Sequence, residues 1–468
     1  MPNDDLELTS QHAEALVAAV MRHVAKAIDQ AGHLPVEGAM ASEAMAGLVE
    51  PPPERGVQLN DLLADLFGEY PPTSLDATSP GFMGYVPGGG IFHAAVADLI
   101  ADTLNRYVGV SAVGGAYVQI ESNVVCWFCE FMGLPQGSGG YLTSGGSLAN
   151  WGAVIAAREK HLGEDLSRGV IYVSDQTHHC VAKAAKLAGI RSANVRVLPC
   201  DADFELSPER VLAAVEGDLG RGLTPFMLVA SAGTTNTGAV DPLAPLADAA
   251  RDAGLWFHVD GAYGGFFNLT QRGRAALYGI ERADSIALDP HKTLFLPYGT
   301  GALLVRRQRD LHAAHASQAD YLPPPSDAES VVDFSDLSPE LTRPFRGLRV
   351  WLPLKMHGVG VFRDYLDEKL DLARQLCAAL HAMPQIEVLA EPVLSILAFA
   401  CRAETEADAN RRSRAVIAAI NARGRVMLTG TMLGGRFAIR VAVVSYRTHE
   451  EQIGFLLEDL AVALDDVY

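Results

Sequence analysis

The sequence is poor in cysteine and in basic residues, and it has no long apolar run. Its six cysteines (Cys126, Cys129, Cys180, Cys200, Cys377, Cys401) are scattered over 468 residues, too sparse for a disulfide scaffold. Cys126 and Cys129 form a C-x-x-C inside the apolar run VVCWFCEFMG. No second Cys or His pair accompanies it at zinc spacing, so both read as core thiols and no metal centre is expected. Lys and Arg number 37 against 56 Asp and Glu, a formal net charge of -19. That balance argues against a nucleic-acid binder. No stretch reaches the roughly 18 apolar residues of a membrane span. The opening MPNDDLELTSQHAEAL has neither the basic nor the apolar region of a signal peptide. The expectation is a soluble cytoplasmic chain, long enough for two or three packed units.

What is present is a regular alternation. Apolar positions at helical spacing over 8–32 predict an opening amphipathic helix. Prolines and a Gly/Pro-rich stretch, SPGFMGYVPGGG, punctuate the chain up to residue 90. Short apolar runs then follow at 170–174, 226–231, 255–259, 285–288 and 301–305, with helical stretches such as 179–189 and 242–253 between several of them. Strands apolar on both faces and alternating with helices predict a largely parallel, covered sheet. Function in such sheets sits at the carboxyl ends of the strands.

Chemically distinctive residues fall at those ends. SIALDPHKTLF at 285–295 ends a strand at Asp289, and Pro290 turns the chain to present His291 and Lys292. WFHVDGAYGG at 256–265 puts Asp260 at another buried strand end, where a carboxylate is costly without a cationic or protonated partner. Ala262 follows, small enough to lie flat under a ring. VSDQTHHCVAKAA at 173–185 offers His178 and His179 for stacking. SAGTTNTGAVDPL at 231–243 offers the hydroxyls of Thr234 and Thr235. YLTSGGSLANWGAV at 141–154 is a glycine turn into a helix, where Gly145, Gly146 and Ser147 can cradle a phosphate. Each motif alone has an ordinary reading as a cap, a turn or a surface amine. Together they supply what pyridoxal 5'-phosphate (PLP) needs: an amine to hold it, a carboxylate for its ring nitrogen and an anion site.

In this order the motifs resemble the group II pyridoxal-dependent decarboxylases, which include aromatic amino-acid, glutamate, histidine and diaminobutyrate decarboxylases. The resemblance runs from about residue 78 to the C-terminus and includes FCEFMGLP at 128–135, FRGLRVWLPLKMHGVGVF at 345–362 and RTHEEQIGFLLEDL at 447–460. It implies an α/β fold of the aspartate-aminotransferase type (fold type I), with a mostly parallel central sheet and a smaller C-terminal α+β domain. The implied division is an N-terminal helical segment, 1–77, wrapped on the partner of a homodimer. A large PLP-binding domain follows at 78–344, with a lid loop at about 310–344, and then a small domain at 345–468. The implied roles are Schiff-base formation for Lys292, phosphate contact for Gly146, Ser147 and His291, and ring-nitrogen pairing for Asp260, with Ala262 beneath the ring. Asp175-Gln176-Thr177-His178 matches the family's D-Q-A-H run and selects His178 over His179. The second Thr of the G-T-T run selects Thr235. The implied reaction converts an L-amino acid to an amine and carbon dioxide, with no nucleic acid or membrane involved.

Two departures stand out. Where the aromatic decarboxylases have a second aromatic and a Thr in a pocket wall, this chain has Val86 and Gly88 beside the matching Tyr85 and Pro87. Eleven residues before Phe345-Arg346, where the family lid carries a proton-donating Tyr, the count falls on Phe334. A phenyl ring donates no proton, and Phe there goes with aldehyde-forming oxidative decarboxylation-deamination in some plant relatives. Tyr321 would serve from another register. HKTLFLPYGTGALLVR also resembles the sphingosine-phosphate-lyase branch, which makes carbon–carbon cleavage a further alternative. A non-catalytic PLP-binding protein is disfavoured because both Lys292 and Asp260 are present.

Overall fold

The computed structural model describes residues 6–31, 36, 48, 49, 51–317 and 332–468. A seven-stranded sheet forms its centre, in the order β1-β7-β6-β5-β4-β2-β3. The strands are β1 (Gly139–Thr143), β2 (Gly169–Ser174), β3 (Val195–Leu198), β4 (Thr224–Ser231), β5 (Trp256–Asp260), β6 (Ser285–Leu288) and β7 (Gly301–Val305). Only β7 runs against the others, pairing antiparallel with both β1 and β6. The sheet is therefore mostly parallel, and β1, β2, β5, β6 and β7 are buried at every residue. Such strands read as continuous apolar runs because both faces are covered.

Two strands escaped the sequence pattern. β3 is an edge strand with no fully buried residue, so it lacks an apolar run. β1 begins with two glycines, which read as a turn. In the fold, a Cβ on Gly140 would lie 2.0 Å from the Leu303 carbonyl oxygen, so the close approach of β7 requires glycine there.

The opening helix spans Ser10–Gln30, with Thr9 at its N-cap accepting from the His12 amide at 3.3 Å. The helices expected at 179–189 and 242–253 span Cys180–Leu187 and Leu243–Asp252. Among the described residues, no helix is long and apolar enough to cross a membrane.

A second, antiparallel sheet follows, in the order β10-β11-β9-β8. Its strands are β8 (Ile386–Ala390), β9 (Ile396–Cys401), β10 (Thr429–Leu433) and β11 (Arg436–Ala442). The helical segment Arg346–His381, kinked at Gly358, joins the two sheets. Leu348, Leu354, Phe362 and Leu366 on it pack in the large core, and Leu372, Leu376 and Leu380 in the small one. Met83 is buried in the small core, and Phe82 bridges to Met427. The Gly/Pro-rich segment therefore reaches across between the two sheets.

Within the expected lid loop, about 310–344, residues 318–331 lie outside the described residues. The helix Gln308–His315 packs on the large sheet, and Phe334 lies in a short 3-10 turn with no exposed surface. The Arg343 guanidinium sits 4.7 Å from the Phe334 ring centre, and the Ser335 amide donates to the Gly109 carbonyl at 3.0 Å. Phe334 is thus a residue of the large core. Tyr321 lies outside the described residues.

Candidate active site

The carboxyl ends of β1, β2, β4, β5 and β6 surround one cavity of about 340 Å³. Lys292, His178, Asp260, Gly146, Ser147, Thr235, Ala262 and His291, all singled out from the sequence, line it together.

Lys292 stands in the one-turn helix Pro290–Thr293, just after β6. Its Nζ lies 2.9 Å from Asp289 Oδ2. Burial works against the charge, but Asp289 and then Asp260 outweigh it and hold the ammonium above the usual lysine range. The other Asp289 oxygen, Oδ1, is buried and has no hydrogen-bond partner among the described residues. An orphaned carboxylate oxygen beside a paired amine marks a place where a polar group is received.

Asp260 is held differently. Its Oδ1 accepts from the Ala262 amide at 3.1 Å and its Oδ2 from Asn150 Nδ2 at 3.0 Å. A carboxylate only accepts, so the Asn150 amide nitrogen faces Asp260 and its oxygen faces His258. His258 Nε2 therefore donates to Asn150 Oδ1 at 2.7 Å. Its Nδ1 accepts from Ser285 Oγ at 2.7 Å, and that hydroxyl accepts in turn from the Trp256 indole at 2.7 Å. Burial pushes His258 down to about 4, so the imidazole is neutral. Every polar group along this chain has one defined role, and Asp260 is fixed by it.

His178 lines the cavity, and His179 does not. The Cys180 amide donates to His178 Nδ1 at 3.3 Å, which leaves Nε2 to carry the proton of the neutral ring. Burial lowers its proton affinity, with His179 and Lys292 adding to the effect. His291 donates from Nδ1 to the Thr300 carbonyl at 2.6 Å, and its Nε2 lies 3.7 Å from Asp289 Oδ2. Burial lowers its proton affinity too.

Thr143 closes the turn after β1. Its hydroxyl accepts from the Gly145 amide at 3.2 Å, and the helix Gly146–Leu162 begins at the next residue. The first amides of a helix lack intrahelical partners and form an anion site. A Cβ on Gly146 would lie 3.0 Å from Asp289 Oδ2 and 3.1 Å from Ala262 Cβ, so a side chain there would intrude on the cradle. The Thr234 hydroxyl is taken up by Thr237 at 2.6 Å, whereas Thr235 is exposed on the rim.

Val86 is half-buried against the large core. Gly88 is a place of backbone contact: a Cβ on it would lie 2.4 Å from the His291 carbonyl oxygen and 2.5 Å from that of Lys292. Beside it lies a second cavity of about 200 Å³, lined by Ala77, Gly88, His291, Leu296, Pro297 and Tyr298 among others. His291 faces both cavities.

Sequence reasoning missed Asp289, Asn150, His258 and Arg440. Asp289 directly precedes Pro-His-Lys, and Asn150 stands four residues after Gly146 on the same helix face. Arg440 was visible as a lone charge in the apolar strand FAIRVAVV. It is 4% exposed, donates to the Thr235 carbonyl and, at 2.7 Å, to the Tyr85 carbonyl, and keeps one nitrogen with no partner among the described residues. Burial pushes it down to about 10.

These residues fit PLP: an amine, a fixed carboxylate, a glycine cradle and an orphaned oxygen all face one cavity. Comparison with known proteins agrees. The family model described as "Pyridoxal-dependent decarboxylase conserved domain" matches residues 45–402. An aromatic-L-amino-acid decarboxylase of Bacillus atrophaeus is 33% identical over 448 residues, covering 94% of this chain and 93% of that protein. A phenylacetaldehyde synthase of Arabidopsis thaliana is 31% identical, with 86% and 85% covered. The crystal structure of Catharanthus roseus tryptophan decarboxylase in complex with L-tryptophan superposes with a TM-score of 0.93 at 27% identity. It covers 99% of this chain and all of that one. The chain belongs to the pyridoxal-dependent decarboxylases and is a carboxy-lyase that uses PLP to release carbon dioxide from an L-amino acid.

Proposed function

We propose that the substrate is an aromatic L-amino acid and that the product is the corresponding amine. The observation that carries this reading is the apolar cavity beside His291, which opens next to the cavity holding Lys292. Leu296, Pro297 and Tyr298 give it walls suited to a ring, and no Lys or Arg lines it among the described residues. The aromatic specificity of the Bacillus relative points the same way.

In this reading PLP, when bound, supplies an electron sink for the electron pair left as carbon dioxide departs. Lys292 anchors it, and joining an aldehyde requires the neutral amine, so Lys292 must leave its pairing with Asp289. Asp260 holds a proton on the ring nitrogen, and its two fixed hydrogen bonds keep it aimed there. Ala262 and His178 would help hold PLP from the cavity wall, and the His178 Nε2 proton would be available to the reacting centre. Gly146, Ser147 and His291 receive the phosphate, and Thr235 closes the rim. Arg440 backs that rim by donating to the Thr235 and Tyr85 carbonyls.

The active form in this reading is a cytoplasmic homodimer. The first helix has no buried residue in the single chain, and Val17, Met21 and Ile28 are exposed along it. All six cysteines are free, as a reducing compartment would keep them.

The test is carbon dioxide release from L-Trp, L-Tyr, L-Phe, L-Glu and L-Lys, with the second product identified as amine or aldehyde. Wild-type enzyme is expected to act on an aromatic member and yield the amine, and Lys292→Ala to lose the activity. Release from L-Glu or L-Lys alone would overturn the substrate class. An aldehyde product would overturn the amine reading. With Phe334 buried beneath Arg343, the residue count no longer favours the aldehyde.

A further inference from the structure

The edge of the small sheet gathers three metal-ligating side chains outside the PLP site. Cys377 and His381 lie one turn apart at the end of the helix Arg346–His381, so they share a face. The chain turns through 382–385, runs along β8 and reaches Glu391 immediately after it. The Cys377 thiol donates to Glu391 Oε2 at 2.9 Å, and His381 Nε2 lies 2.6 Å from Glu391 Oε1. One sulfur, one nitrogen and one oxygen thus converge, all within 4.8 Å of one another. An exposed His–Glu pair is ordinary. A buried thiol of the small core donating to the same carboxylate is not.

We propose that Cys377, His381 and Glu391 bind a zinc(II) ion, with water as the fourth ligand. The donor set selects the metal. Zinc accepts thiolate, imidazole and carboxylate in one tetrahedral site, whereas magnesium and calcium take oxygen ligands. Zinc–ligand bonds of about 2.0–2.3 Å set tetrahedral ligand atoms roughly 3.2–3.6 Å apart. Glu391 therefore retreats by less than roughly 1 Å from its two present partners to admit the ion. Its side chain is 65% exposed and that of His381 is 55% exposed, so both are free to adjust and the ion has access from solvent. Burial, with Glu391 adding to it, pushes the Cys377 thiol up to about 12, so without the ion it is protonated. On binding, sulfur coordinates as thiolate and its proton passes to solvent. His381 coordinates through Nε2 with its proton on Nδ1, and Glu391 is already ionised. One proton leaves per ion, and nothing is oxidised or reduced.

The site is remote from Lys292. β8 is an edge strand, and β9 separates it from β11, which carries Arg440 to Thr235. The ion closes the turn between helix and edge strand, as a clip on the small sheet.

The test uses purified, chelator-treated holoenzyme titrated with zinc(II) or cobalt(II). Wild type is expected to bind one ion per chain and release about one proton. Cobalt should give a thiolate charge-transfer band, read as a difference from the zinc-loaded enzyme because PLP absorbs nearby. Cys377→Ser should abolish that band. His381→Gln and Glu391→Gln, both surface changes that leave folding intact, should each weaken zinc binding at least about tenfold, with decarboxylation unchanged. Absence of the band in wild type, its persistence in Cys377→Ser, or equal zinc affinity in all four proteins would overturn the proposal.

Discussion

Asp260 and Asp289 stand at the ends of the neighbouring strands β5 and β6, 8% and 3% exposed, facing the same lysine. Their surroundings are opposite. Asp260 has both oxygens committed to fixed donors, backed by His258, Ser285 and Trp256. Asp289 has one oxygen on a movable amine and one with no partner among the described residues. The first arrangement suits a charge that must stay in place, and the second suits one that must change partners. Burial alone does not distinguish them. The partner's own freedom does.

The contrast can be broken most forcefully at Asp260. Asp260→Asn keeps the shape and removes the charge, and kcat/KM is expected to fall about 10³-fold. An unchanged kcat/KM would mean that Asp260 only caps β5. Asn150→Ala attacks the support instead of the charge. It leaves His258 Nε2 unmatched in the core, at a cost of about 1–3 kcal/mol, visible in a denaturant melt, together with roughly tenfold lower kcat. Asp289→Asn tests the exchangeable side. Asp289 holds the Lys292 proton on, so apo wild type should load PLP only as pH rises far enough to free the amine. The variant should load at lower pH, followed by cofactor absorbance. A profile identical to wild type would show that Asp289 does not govern the lysine. The smallest effect is expected from His179→Ala, within about twofold in kcat. His178→Ala, by contrast, should cost about 10²-fold or more.

Much of this was legible in the sequence. β2, β4, β5, β6 and β7 are runs of apolar residues because the sheet is covered on both faces, and their ends named Asp260, His178 and Lys292. What was not legible depends on chain segments meeting in space. Asn150 and His258 look like a helix polar residue and a strand histidine until β5 is laid beside the helix Gly146–Leu162. Glu391 becomes a neighbour of Cys377 only through the turn before β8. Counting back from Phe345 to Phe334 treats the segment as a free loop, whereas Phe334 is buried under the Arg343 guanidinium, which donates to the Leu142 carbonyl of β1 at 2.9 Å.

For anyone wishing to redirect the substrate range, the contact at Gly88 sorts the cavity walls into closed and open positions. A side chain at residue 88 would press on the carbonyls of His291 and Lys292 themselves, so enlarging it would move the lysine before it narrowed the pocket. Tyr298, 62% exposed and across the same cavity, presents a side chain to solvent and meets the site through its ring, 5.7 Å from that of His291. Variation in specificity should accumulate there, on the wall where a side chain already stands.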